Sequence, residues 1–265
     1  MRDVIRQLVV AASAVIAVIG SFIGSGAAGG TPIQDAAGGA LSAAATQVAP
    51  DVPAFSIWSV IYLGLLGYAV WQFLPRQRAA ERHRRLGYWI AASLLLNAAW
   101  ILSVQFDLLA LSLPVIVALL AVLGWSFVIC LRHRPSGRID ALVTDGTVGL
   151  YLGWVCVATV ANAAAVLHVA GFDGFGAPDA WAVGILAVAG AIGLGLAVVG
   201  NGRISPALSL AWGLVWVGVG RLYGELHSTP AGIAAIVAAV AVIAFTAFRR
   251  ARATRTPAAT APAQS

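Results

Sequence analysis

Apolar residues in this chain fall into long uninterrupted runs. Residues 54–74 (AFSIWSVIYLGLLGYAVWQFL) carry no formal charge and end at Pro75 and a cluster of arginines. Spanning a hydrocarbon core takes about 20 consecutive apolar residues as a helix, so this run is sized for a bilayer. The same criterion marks eight segments: 8–22, 54–74, 88–106, 108–131, 142–169, 180–199, 206–223 and 232–248. The expected fold is therefore all-α, a polytopic membrane bundle of about eight transmembrane helices. The third and fourth segments touch at Asp107, which predicts a tight hairpin there, and Pro114 sits in the first turns of the fourth, where a kink is tolerable.

Polar positions between the runs alternate in charge. Arg76, Arg78, Arg82, Arg84 and Arg85 follow the second segment, and Arg132, Arg134 and Arg138 follow the fourth. Arg203 follows the sixth, and Arg249, Arg250, Arg252 and Arg255 follow the eighth. The intervening loops hold Asp35, Asp51, Asp107, Asp173 and Asp179. The positive-inside rule then places both termini and the arginine loops in the cytoplasm. Arg221 breaks the pattern, and Glu225, one turn later, is its expected ion-pair partner. The start (MRDVIR before an apolar run) also resembles a signal peptide; its cleavage would leave seven spans.

Two stretches lie outside the runs. Residues 24–53 form a Gly/Ala-rich loop long enough to be either functional or disordered. Residues 251–265 are basic and rich in Pro, Ala and Thr, the composition of a disordered cytoplasmic tail.

Composition agrees with a membrane protein: 60% of residues are hydrophobic and only 10% charged, against about 25% charged in soluble domains. All 16 basic residues are arginine, which together with the abundant alanine suggests a GC-rich bacterial genome and hence a bacterial inner membrane. The net charge of +6 sits in membrane-flanking loops and is read as orienting charge, with no nucleic-acid partner. Cys130 and Cys156 lie within apolar segments, and the scattered His83, His133, His168 and His227 give no metal site or catalytic triad. Asp145, near the inner end of the fifth segment, reads as a structural charge beside Arg138 ahead of a proton relay.

Helical spacing gathers one constellation. Trp58 and Tyr62 lie one turn apart, Asn97 and Trp100 share a face, and Trp154, Ala158 and Asn162 form one stripe with a small residue at its centre. An asparagine in hydrocarbon needs a hydrogen-bond partner. These residues form either an outer-leaflet pocket, with residues 24–53 as its lid, or packing glue between helices with tryptophans as interface anchors. In the later segments, Gly190, Gly193, Gly195, Gly213 and Gly220 read as close helix packing, beside Trp212 and Trp216 on one face.

Three motifs sharpen this. Phe55-Ser-Ile-Trp58-Ser-Val-Ile-Tyr62 resembles the second-helix F-x-x-W-x-x-x-Y of the tryptophan-rich sensory protein family (TspO/MBR), bacterial relatives of the mitochondrial translocator protein. Leu96-Asn97-Ala98-Ala99-Trp100 resembles its third-helix L-N-x-x-W, and Tyr151-Leu-Gly-Trp154-Val-Cys-Val-Ala158-Thr159-Val-Ala-Asn162 its fifth-helix Y-L-x-W-x-x-F-A-T-x-x-N. The resemblance covers roughly residues 8–168. It departs from the family where W-Y-x-x-L-x-K-P is missing after the first helix, and where Leu150 and Val157 replace a proline and an aromatic.

The resemblance implies a five-helix bundle over residues 1–171, extended by three further helices over 172–250. It implies a pocket for porphyrins and other flat apolar ligands, roofed by the loop after the first helix. The site residues it names are Trp58, Tyr62, Asn97, Trp100, Trp154, Ala158 and Asn162. The expected function is binding, with sensing or transport, of a hydrophobic ligand such as a tetrapyrrole. The alternatives are a porphyrin-degrading photo-oxidative enzyme acting through Trp58 and Trp154, and a small-molecule transporter. No cofactor is expected beyond a porphyrin ligand. The expected partners are the lipid bilayer and that ligand, and a homodimer stays open.

Overall fold

A computed structural model describes residues 1–26, 29 and 31–255. Eight long helices follow one another: α1 (Arg2–Gly24), α2 (Ile57–Trp71), α3 (Glu81–Gln105), α4 (Leu109–Arg132), α5 (Thr147–Val169), α6 (Pro178–Val199), α7 (Ile204–Tyr223) and α8 (Thr229–Arg255). No strand occurs among the described residues. The protein is a multi-pass membrane bundle. Seven helical segments are long and apolar enough to cross a membrane by length and composition, and α7 is not among them. The seventh expected span, 206–223, is nonetheless a helix with nearly the expected bounds. It packs chiefly against α5 and α8, and its sequence turns Pro206, Ser209, Gly213, Gly218 and Arg221 toward those neighbours. Protein contact replaces the aliphatic surface that lipid would demand.

Packing proceeds pairwise, α1 on α3, α3 on α4, α4 on α5, α5 on α7, α7 on α8 and α8 on α6, with α2 set against α1 and the start of α5. Backbone contact closes the α5–α7 seam. A Cβ at Gly149 or Gly153 would collide with Ser205, Pro206 and Ser209, and one at Gly213 would lie 2.9 Å from Val157. The seam between α6 and α8 is built likewise, since a Cβ at Gly193 would sit 2.6 Å from Val242 and one at Gly190 3.1 Å from Ala238. Small residues allow such approach where water supplies no drive. Gly195 faces open space instead.

The hairpin expected at Asp107 is present. Asp107 takes a left-handed φ of 59°, its N–H bonds to Val104 O at 3.2 Å, and the Leu108 N–H bonds to Ser103 O at 2.8 Å. This pair of bonds satisfies the orphan carbonyls of a helix end and turns the chain within three residues.

Several boundaries move. α1 starts at Arg2 and α3 at Glu81, because the polar residues before the apolar runs are buried: Arg6 and Gln7 in the first, Arg82 and His83 in the third. α2 is shorter than expected, preceded by a 3₁₀ segment over Val52–Ser56. A short helix (Arg138–Asp140) and a π-helical turn (Ala141–Gly146) precede α5. α8 runs on to Arg255, so residues 251–255, expected in a disordered tail, are helical. Residues 256–265 of that tail lie outside the described residues.

At the end where α1, α3, α5 and α7 begin, a cluster of charges is buried and paired. Asp145 accepts an ion pair from Arg82 and a second from Arg203 at 2.9 Å. Its partners are thus these two arginines, where the spacing suggested Arg138. Asp140 is fully buried and accepts from Trp71 Nε1 (3.2 Å), Thr144 Oγ1 (2.9 Å) and the Ser136 N–H (2.8 Å). His83 bonds Gln77 Oε1 at 3.0 Å and stands 3.7 Å from Asp140. Arg6 donates to Arg78 O at 2.9 Å. Arg203, in the turn between α6 and α7, has its pKa lowered by burial. These bonds tie the starts of α1, α3, α5 and α7 to one another and to the end of α2.

Candidate functional site

At the opposite end of the bundle, the seven candidate residues come together. Trp58 and Tyr62 of α2 stack at 5.6 Å between ring centroids, and Trp58 meets Tyr151 edge-on at 5.8 Å and Trp154 at 6.2 Å. Phe55 reaches the Trp154 edge at 5.9 Å. Asn97 of α3 donates through Nδ2 to Tyr62 Oη at 2.7 Å, and Tyr62 donates onward to Ala17 O at 3.4 Å. The Trp100 indole donates to Asn162 Oδ1 at 2.8 Å, and Asn162 Nδ2 donates to Ser112 Oγ at 2.9 Å. Both asparagines are therefore engaged across helices, as buried amides must be. Trp154 is only 1% exposed, and its indole nitrogen makes no hydrogen bond.

Three contiguous spaces surround this cluster. A vestibule of about 530 Å³ opens beside α1 and α2, walled by Ile33, Phe55, Trp58, Tyr62 and Trp100. Behind Ile33, Phe55 and Trp100 lies a chamber of about 40 Å³, whose lining includes Leu41, Thr46, Trp154, Ala158 and Asn162. A space of about 30 Å³ separates Trp58, Asn97 and Trp100 from Leu119 and Ala158. Small-molecule sites run to about 300–1,000 Å³, so the vestibule has ligand volume and the inner spaces are closed down around the aromatics. A flat ligand would meet the vestibule faces of Phe55, Trp58 and Trp100 first. Deeper entry requires those rings to part.

Ser112 and Phe55 belong to this site but were absent from the seven candidates. Phe55 was legible as the first letter of its motif, whereas Ser112 carried no signal, being one serine among aliphatics on a helix without a motif.

The loop of residues 24–53 roofs the chamber. Its described part is ordered against the bundle, with Ala36, Ala40, Val48 and Ala49 buried, and it is held from α7. Trp212 Nε1 donates to Ala54 O at 3.0 Å, and Trp216 O accepts from the Asp51 N–H at 3.2 Å. Arg221 donates to Thr46 O at 3.0 Å and to Ala43 O. Arg221 itself is 1% exposed. The ion pair expected with Glu225 does not form: α7 stops at Tyr223, Glu225 lies exposed beyond it, and the guanidinium turns to the loop carbonyls.

No curated protein and no solved structure matches the chain significantly. A family model does match, over residues 10–248, and so takes in the last three helices together with the first five. With the eight-helix bundle and the clustered tryptophan motifs, that match over most of its length makes the chain a member of the TSPO-like protein family.

Proposed function

We propose that the protein binds a flat hydrophobic ligand of the tetrapyrrole class in the aromatic site beneath the 24–53 loop, and that this site faces the outer leaflet. The observation carrying this reading is the 530 Å³ vestibule walled by Phe55, Trp58, Tyr62 and Trp100. Indole and phenyl faces stack on planar aromatic ligands in offset or edge-on arrangements, and no buried charge opposes an apolar occupant there. The orientation follows from arginine crowding at the other end, with both termini in the cytoplasm of a bacterial cell. Binding serves sensing or transport in this reading.

Protoporphyrin IX should quench the tryptophan emission of the purified protein saturably. Trp154→Phe and Asn162→Leu should each weaken that binding about tenfold, equivalent to about 1.4 kcal/mol. Trp125→Phe should not, since Trp125 is exposed on α4 beside Trp89. Equal effects from all three variants, or quenching that never saturates, would remove the support for a tetrapyrrole site. Trp58 and Trp154, 6.2 Å apart, also permit the photo-oxidative reading; light-dependent loss of bound protoporphyrin that both substitutions abolish would favour it.

A further inference from the structure

On the side away from the vestibule, the loop borders another space. A cleft of about 370 Å³ lies between α5 and α6, lined by residues 44–48 of the loop, by Ala164, Leu167 and His168 of α5, and by Trp181 of α6. Its floor continues the chamber's: Ala161 and Asn162 line the chamber, and Ala164 lines the cleft one turn along the same helix. Thr46 lines both. A short stretch of small residues, Ala44-Ala45-Thr46, is thus the partition between them.

This partition is weakly held by its own side chains. Thr46 Oγ1 and Gln47 Oε1 are buried without a hydrogen-bond partner. Among the described residues, the hydrogen bonds tying residues 43–49 to the helices are the two from Arg221 to Ala43 O and Thr46 O. Burying a guanidinium in a membrane bundle is costly, and such residues pair with backbone carbonyls where they are kept. Here that cost goes into fixing the alanine-rich stretch 43–46, which is only partly buried, whereas Val48 and Ala49 beyond it are buried against the bundle.

We propose that residues 43–47 form a gate, clasped shut by Arg221, and that the cleft between α5 and α6 is a second portal to the chamber for the same class of flat apolar ligand. The vestibule and the cleft then give the chamber two openings, on opposite sides of one aromatic site. Two of the last three helices acquire a role, α7 carrying the clasp and α6 forming the outer wall of the portal. This inference rests on reading the chamber as part of a ligand site. Arg221 acts as a positioning residue and touches no ligand.

The test uses the full chain with Ala161→Cys as a chamber reporter, its reaction with N-ethylmaleimide followed by intact mass. The native Cys130 and Cys156 are buried, and their labelling is subtracted using the unsubstituted protein. Arg221→Met should raise the labelling rate about tenfold, and Arg221→Lys, which keeps the charge and N–H donors but not the rigid planar fork, should raise it less. Ala164→Trp, filling the cleft, should abolish the rise, and Ser59→Trp, filling the vestibule, should leave it. No rise at an unchanged melting temperature would overturn the gate. A rise removed by Ser59→Trp and spared by Ala164→Trp would overturn the portal. Should Arg221→Met fail to fold, Arg221→Lys carries the same comparison. The labelling needs no tetrapyrrole, so a failure of protoporphyrin to bind would sink the ligand reading separately from the gate.

Discussion

Trp100 and Asn162, 62 residues apart in the chain, are joined by an indole-to-amide hydrogen bond of 2.8 Å. It links the third-helix motif to the fifth-helix motif, and Ser112 extends it to α4. The site is therefore held in shape by its own polar groups, before any ligand contributes.

Removing both sides of that bond should cost less than the two single removals added together. Asn162→Leu strands the Trp100 N–H and the Ser112 hydroxyl in a buried setting, and an unpaired buried group costs about 1–3 kcal/mol. Trp100→Phe removes the donor while Asn162 keeps Ser112. The double variant should lose less stability than the two single losses combined, measured by denaturation of the detergent-purified protein. Strict additivity would mean that the bond contributes no stability.

Much of this arrangement was legible along the chain. The long apolar runs fix α4, α6 and α7 closely, the hairpin at Asp107 followed from two runs meeting without a spacer, and Gly190 and Gly193 of α6 pack as their spacing suggested, though Gly195 does not. What was not legible has a common cause. Arg221 binds carbonyls at Ala43 and Thr46, and a backbone acceptor has no side-chain identity to read. Glu225 looked like the partner because helical spacing assumes that the helix continues, and α7 ends before it. Asp145 was paired with nearby Arg138 on sequence distance alone, whereas the bundle brings it Arg82 from α3 and Arg203 from the turn before α7.

The Asp145 pairing separates buried from exposed charge. Asp145→Asn would leave Arg82 and Arg203 without their shared carboxylate, and breaking a buried pair on one side costs about 3–5 kcal/mol. Glu81→Gln removes the partner of Arg85, a pair whose side chains are 67% and 57% exposed, and exposed pairs contribute about 0–1 kcal/mol. The first variant should lower the melting temperature steeply and the second barely. Similar shifts would mean that water reaches Asp145 freely.

Orientation is open to direct measurement. A reporter active only in the cytoplasm should work when fused after Arg85, Arg138 or Ser265, and should be silent after Gly176. An active fusion after Gly176 would reverse the assignment of the aromatic site to the outer leaflet.

Truncation tests how far residues 1–171 stand alone as a five-helix unit. Ending the chain at Gly171 exposes the glycine face of α5, where Gly149 and Gly153 meet α7, and removes Trp212, Trp216 and Arg221 from the loop. The motif residues and their hydrogen bonds all lie before the cut. The shortened protein should therefore still insert and should keep the Trp100–Asn162 pair, while its loop becomes sensitive to protease and protoporphyrin dissociates faster than from the full chain. Unchanged protease resistance and dissociation would show that the first five helices hold their own roof. Loss of binding with the helices intact would place the last three within the ligand site itself.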